Sequence, residues 1–534
     1  MLFSSLEVKA KHSHKAPNPC TLSAGLMYRN NIHQRQFEDF DLPFGGKLRS
    51  DNRWVKMAKH IPWEQFDALY AKSLSGSGTG SPALAARVAL GALIIKERLG
   101  TSDEETVEQI RENPYLQYFL GFKAYRDEQP FDPSMFVHFR KRITKEMLGR
   151  VNEQVVQKGL REAERIANRK KHPKDPEDSE VSEPPPKNKG KLLVDATCAP
   201  ADITFPTDLK LLNDAREKSE KIIDILHKPF VGLQKKPRTC RKVARKKFLT
   251  AAKSKRLTTG KRRKALRSQL GYLRRNLKTI AEQSEQTSLL VLNRRQYKNL
   301  LVIHEIYSQQ QKMFDDGVNR VDDRIVSLFQ PHVRPIMRGK AGVKTEFGAK
   351  LSVSLVDGFT FVDRINWNNY NEAGDLKDQI NAYRDRFGFY PASVHADKLY
   401  RNRDNRRFCK KWGIRLSGPA LGRPPKNIDP EVKAQAHRDE RVRVLIEGKF
   451  GQGKRRFTLG RIMSKLAATS ETTISLIFLV MNIERWLKEV LFLLFLSTQS
   501  RLKDLFGRSA TLMRPFQDNV DALHPTRPLL ICMI

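Results

Sequence analysis

Apolar residues in the first 163 positions recur at helical spacing. Residues 83–99 are broadly apolar and predict a helix. They follow a run holding Gly76, Gly78 and Gly80, which reads as a linker because no strand precedes it and no Lys-Ser/Thr pair follows. Ser102 with Glu105 three residues on is a capping-box pattern that opens a second helix, closed by Pro114. Asp132 caps a third, with Pro133 at its first position. Met135, Phe136 and Phe139 form its apolar stripe, and Arg140, Lys141 and Arg142 lie towards its end.

Residues 164–190 break this pattern. They are charged, carry Pro173, Pro176, Pro184, Pro185 and Pro186, and are too polar to bury a core, so they read as a linker. A strand pattern begins near Lys191 and ends on Asp195, and residues 215–330 read as helix throughout. Alternation then returns at Ala349, Leu351, Val353 and Leu355; Asp357-Gly358 makes a two-residue hairpin turn, and Phe359 and Phe361 resume the period. A helix at 375–387, a strand at 392–397 ending on Asp397, a helix near 402–411 and a short strand at 413–417 follow. Glu447 falls in or near a late helix, and another covers about 472–490. The order predicts an α/β fold. A mixed sheet flanked by helices occupies 191–490, a helical insertion at 215–330 interrupts it, and an all-α domain precedes it at 1–163. Residues 491–534 form a tail of unassigned role.

Charge narrows the partners. Lys and Arg total 98 against 59 Asp and Glu in 534 residues, a formal charge of +39, which favours a polyanion, whether nucleic acid or an anionic membrane surface. Residues 235–278 hold nineteen Lys or Arg and no acid, among them Lys246, Lys247, Arg262, Arg263 and Lys264. Such positives repel one another without a polyanion, so the run predicts DNA contact rather than a merely solvated face. The basic third helix fits either a helix-turn-helix type of DNA-binding module or a bundle with a solvated basic face. The five cysteines (Cys20, Cys198, Cys240, Cys409, Cys532) form no CxxC pair, which argues against a zinc ribbon or disulfide framework and fits a reducing compartment. The first five residues lack a basic segment leading into an apolar core, so no secretion signal is expected. Residues 474–496 are the most apolar, yet Asn482, Glu484, Arg485, Lys488 and Glu489 would be costly in lipid; a buried helix is expected, not a membrane span.

Three carboxylates are the candidate chemistry. Asp195 ends one apolar run, Asp397 another, and Glu447 sits between Arg443 and Lys454. Hard oxygen donors from strand ends and a helix suit Mg²⁺, which keeps several waters for its substrate. Neighbouring parallel strands can bring two such ends together, and a packed helix can add the third. The plainer readings are a turn or cap role for each Asp and surface salt bridges for Arg443 and Lys454. Tyr400 is read as packing, His395 as a hydrogen-bonded core residue, Trp367 as packing and Cys198 as a bystander thiol.

The order of strands, inserted helices and carboxylates resembles the RNase-H-like fold of the DDE transposases of bacterial insertion sequences. Arg443-x3-Glu447-x6-Lys454 is similar to the tyrosine-arginine-glutamate-lysine signature of one large transposase superfamily, although Glu440 stands where that signature has tyrosine. The block Asp397-Lys398-Leu399-Tyr400, the segment 473–486 around Asn482 and residues 109–142 also look familial. The resemblance implies Asp195, Asp397 and Glu447 as catalytic metal ligands for two Mg²⁺ ions, with Mn²⁺ as a substitute and Asp195 shared. Arg443 and Lys454 would contact phosphates near the scissile bond. Arg140 and Arg142 would join the basic insertion in binding DNA. The expected partners are the element's terminal repeats and target DNA, held by a homodimer in the bacterial cytoplasm at the nucleoid. Two alternatives stay open: a metal-dependent nuclease without strand transfer, and a non-catalytic DNA-binding relic.

Overall fold

The computed structural model describes residues 36–74, 82–171, 188–337, 345–418 and 429–506. The glycine-rich run at 76–80, most of the expected 164–190 linker, Cys20, Cys532 and the tail from 507 lie outside the described residues.

Among the described residues seven α-helices come first: α1 (Arg53–His60), α2 (Trp63–Lys72), α3 (Ala86–Leu99), α4 (Asp103–Glu112), α5 (Pro114–Phe119), α6 (Met135–Arg142) and α7 (Lys145–Lys171). Local chemistry sets their ends. The Ser102 hydroxyl accepts from Glu105 N–H at 3.0 Å at the start of α4, and Asn113 caps α5 with Pro114 in its first turn. One expectation is corrected here. Asp132 accepts from Ser134 N–H at 2.8 Å and folds Pro133 into a turn, so α6 begins at Met135, two residues later than read. Phe136 and Phe139 are fully buried, as the stripe requires.

Strand β1 (Lys191–Pro200) leads into α8 (Asp208–His227), α9 (Arg241–Ala252), α10 (Thr259–Gln286) and α11 (Arg294–Asp315). Helix thus spans 208–315 with breaks, rather than 215–330 throughout. The chain then forms β2 (Arg334–Met337), β3 (Thr345–Val356), β4 (Phe359–Asn366), α12 (Leu376–Phe387), β5 (Ser393–His395), α13 (Arg403–Lys411), β6 (Arg415–Leu416), α14 (Pro430–Arg456) and α15 (Ala467–Phe506). Asp357 and Gly358 both have positive φ (48° and 84°), which makes the tight primed turn that joins β3 to β4. The last helix passes the expected boundary at 490 and takes in backbone assigned to the tail. Among the described residues no helix is long and apolar enough to cross a membrane.

The sheet order is β2-β3-β1-β5-β6, with β4 also paired to β3. β3 lies antiparallel to β1, while β5 is parallel to β1 and β6 to β5. Gly348 faces Pro200 in that ladder so closely that a Cβ there would lie 2.1 Å from the Ala199 carbonyl oxygen. One apolar cluster runs from the N-terminal helices (Trp54, Phe119, Phe136) through the sheet (Val194, Val353) to α15 (Phe478, Trp486). The inserted helices α8, α10 and α11 hold a separate cluster that includes Leu212, Leu273 and Ile303. Cys198, Cys240 and Cys409 form no disulfide among the described residues.

Candidate active site

Asp195 does not end its strand, contrary to the sequence reading. It is the fifth of ten residues in β1, because antiparallel pairing with β3 carries β1 on to Pro200. What ends near it is the other neighbour. β5 pairs with β1 only at Lys191↔Ser393, Leu192↔Val394 and Leu193↔His395. Asp195 and Asp397 therefore each stand two residues past the same final pair, where two parallel strands about 4.8 Å apart separate. This puts both carboxylates at one level on the opened edge of β1. Asp397 also begins a 3-10 turn over Lys398–Tyr400, and its Oδ1 accepts from Lys398 N–H at 2.6 Å.

The third carboxylate comes from α14. Asp439 anchors that helix: its carboxylate takes two hydrogen bonds from Arg415 at the start of β6 (2.6 and 2.9 Å) and lies 3.7 Å from His395 Nδ1. Ile446 and Phe450 bury the same side of the helix. Arg443 and Glu447 follow Asp439 at one and two helical turns, which directs them along the same face. The sequence reading missed Asp439, although its i, i+4, i+8 relation to Arg443 and Glu447 was present in the chain.

Asp195 lies within electrostatic reach of both Asp397 and Glu447. The Asp195 carboxyl is pushed up to about 6, chiefly by burial. The charges of Glu447 and Asp397 add to the rise, while the Ala196 N–H and the Arg443 charge oppose it. Arg443 bridges Glu440 (2.7 Å) and Glu447 (2.8 Å), and these hydrogen bonds hold its guanidinium firmly charged. Glu440 thus fills the place of the signature's tyrosine with a second carboxylate for Arg443. Lys454, in the last turn of α14, is partly buried and has an interaction of its own.

Tyr400 is 1 % exposed, so it packs, and among the described residues its hydroxyl has no hydrogen-bond partner. Burial first, then the charge of Asp195, pushes its hydroxyl well above the usual range. His395 is buried with Nε2 3.0 Å from the Ser393 hydroxyl, and Trp367 donates to Glu471 at 2.9 Å; both serve structure. Behind the sheet, Asp363 collects Gln379 (2.9 Å) and Arg386 (3.2 Å) together with the Ser354 hydroxyl, a buried polar network the sequence reading did not find. Its signal was Lys350, Ser352 and Ser354 alternating with the apolar residues of β3.

The donor set suits a hard divalent cation. Each carboxylate engages one oxygen with a neighbouring donor, and among the described residues its other oxygen has no hydrogen-bond partner. Among those residues, however, no group of three or more His, Cys, Asp and Glu side chains is gathered closely enough to hold an ion. Arg443 holds Glu447 in an ion pair at 2.8 Å.

The other candidate DNA contacts divide in two. Arg140 forms a forked ion pair with Asp103 and lies 5.5 Å from the Phe136 ring, and Arg142 rests against Tyr70, so both take part in helix packing. Lys246, Lys247, Arg262, Arg263 and Lys264 are exposed on α9 and α10, with Arg263 stacked 4.4 Å over Phe314.

Residues 43–142 match a transposase domain family (DUF772), and residues 394–484 match the transposase DDE domain, a span that holds Asp397, Arg443, Glu447 and Lys454. Asp195 lies outside both spans. The uncharacterized protein ORF8 in the nfe locus of Rhizobium meliloti is 31% identical over 157 residues, which is 29% of this chain and 66% of that protein. No solved structure matches. A transposase domain family thus matches towards each end of the described fold, and together they support an insertion-sequence transposase.

Proposed function

We propose that this transposase binds the terminal repeats of its element, cleaves DNA at the element ends and joins the 3′ ends to target DNA by two-metal-ion phosphoryl transfer. The observation that carries this reading is the register: Asp195 and Asp397 each stand two residues past the last β1–β5 pair, and Asp195 is within electrostatic reach of both Asp397 and Glu447. The strand order β4-β3-β1-β5-β6, with β3 antiparallel and β5 parallel to β1, supports an RNase-H-like core at 191–490.

Asp195, Asp397 and Glu447 would hold two Mg²⁺ ions, or Mn²⁺ in their place. Such ions would supply Lewis acidity towards an attacking water or 3′-hydroxyl and towards the leaving oxygen. Burial, with the charges of Glu447 and Asp397, makes the Asp195 carboxyl costly to ionise, so a cation bound there would offset that cost. Arg443 orients Glu447 and presents positive charge on the side where the phosphate arrives. Residues 1–163 serve as the N-terminal DNA-binding and dimerisation unit, 164–190 as the linker, and the inserted helices as a further DNA surface. A homodimer on DNA, at the nucleoid, would hold the two ends together.

The test is Mg²⁺-dependent cleavage of labelled DNA carrying the element's flanking ends, wild type against Asp397→Asn. The expected result is end-specific cutting that the variant loses, by about 10³-fold or more, while DNA affinity persists. A folded wild type that binds those ends without cutting them overturns the catalytic reading. Supplying pre-cut ends separates a transposase, which yields joined products, from a nuclease, which does not.

A further inference from the structure

Two arginines near the carboxylates are occupied: Arg443 by Glu440 and Glu447, and Arg401 by the carbonyls of Leu416, Ser417 and Gly418 at 2.7–2.9 Å. Helix α13 differs. It begins six residues after Asp397 and carries Arg403, Arg406, Arg407, Lys410 and Lys411, all exposed. None of the five has an ion-pair partner among the described residues. At 3.6 residues per turn they fall within an arc of about 140°, with Asp404 at its rim. The opposite side holds the buried Asn405 and Cys409.

The helix is fixed to the carboxylate segment. Asn402 caps it through Asn405 N–H at 2.8 Å, and the Asn405 amide donates to Tyr400 O (2.9 Å) and Ala373 O (2.8 Å). Those bonds tie its first turn to the short turn that Asp397 begins. Six residues span at most about 22 Å, so the basic face starts within one turn of duplex, about 34 Å, of Asp397. Five like charges on one face repel one another, and a row of phosphates relieves that repulsion.

We infer that the exposed face of α13 is a DNA-backbone contact surface that lays the duplex next to Asp397. Its donors are guanidinium and ammonium groups on a helix lying along the surface, so it grips phosphates and carries no base readout. The inference rests on the proposed DNA chemistry for its purpose, yet its own test needs no cleavage.

That test compares the full chain with the variant Arg403→Gln/Arg406→Gln/Arg407→Gln/Lys410→Gln, all solvent-facing positions. The variant is first checked for an unchanged melting temperature. Affinity for a labelled DNA duplex is then measured against salt concentration. The expected result is at least tenfold weaker binding at low salt and a slope of log affinity on log salt shallower by about three. Cleavage by the same variant should fall in proportion to its lost occupancy. An unchanged slope in a folded variant overturns the inference, as does a loss confined to duplex RNA. Should the wild type bind DNA without cutting it, the surface stands on its salt slope and only the catalytic reading falls. If the quadruple variant melts early, Lys410→Gln with Arg406→Gln alone replaces it, with a slope change of about two expected.

Discussion

His60 illustrates how one side chain ties packing to solution behaviour. Its ring lies 4.0 Å from Trp486, and burial, then the charges of Lys158 and Lys59, lowers it from 6.5 to about 4. His332, edge-on to Trp367, is lowered to about 4 as well, again chiefly by burial. Between pH 6.5 and 4 the unfolded chain therefore binds protons that the folded chain refuses. The stability these imidazoles contribute is complete above that window and drains away as pH falls through it. Denaturant titrations across this range should show falling stability, and His60→Phe should flatten part of the slope. An identical slope in the variant would remove His60 from the account.

At the scale of elements, α14 matters most. Asp439 pins it to β5 and β6, and Glu447 inherits its position from that anchor. Asp439→Asn should leave DNA affinity within about twofold while end cleavage falls between about 10- and 100-fold, since small displacements of a reacting group have costs of that size. Parallel binding and cleavage assays would decide; an unaltered cleavage rate would mean Glu447 is placed by other contacts. The insertion makes a separate prediction. Neutralising Lys261, Arg262, Arg263 and Lys264, exposed at the start of α10, should weaken DNA binding and flatten its salt slope by about three to four. Unchanged affinity and slope would show a merely solvated face.

Across the whole molecule, the N-terminal helices and the sheet share one core, with Asn482 at a junction. Its side chain accepts from Thr360 N–H (2.8 Å) and donates to Thr360 O and Asn152 Oδ1 (both 2.7 Å), which joins α15, β4 and α7. Thr360 and Asn482 are both fully buried, so Asn482→Ala strands main-chain groups without water. The expected loss is about 2–4 kcal/mol of unfolding free energy, read from urea denaturation. Because the core is continuous, far-UV and tryptophan signals of the N-terminal helices and the sheet should fall together.

The sequence by itself determined what depends on near neighbours. The Ser102 cap, the primed Asp357-Gly358 turn, the alternation of β3, α12 and the burial of Phe136 and Phe139 all follow from side-chain period and local hydrogen bonds. So did the three carboxylates as candidates, and the family. Tertiary structure alone decided how far β1 runs beyond Asp195, because its length is set by pairing with β3, some 150 residues on in the chain. It also decided that Arg140 turns inward to Asp103 and that Asp439 carries α14. The same holds for α13, which stays solvent-facing beside Asp397. Register, ion-pair choice and exposure are settled by groups distant in sequence competing for the same space, and no local pattern records which of them wins.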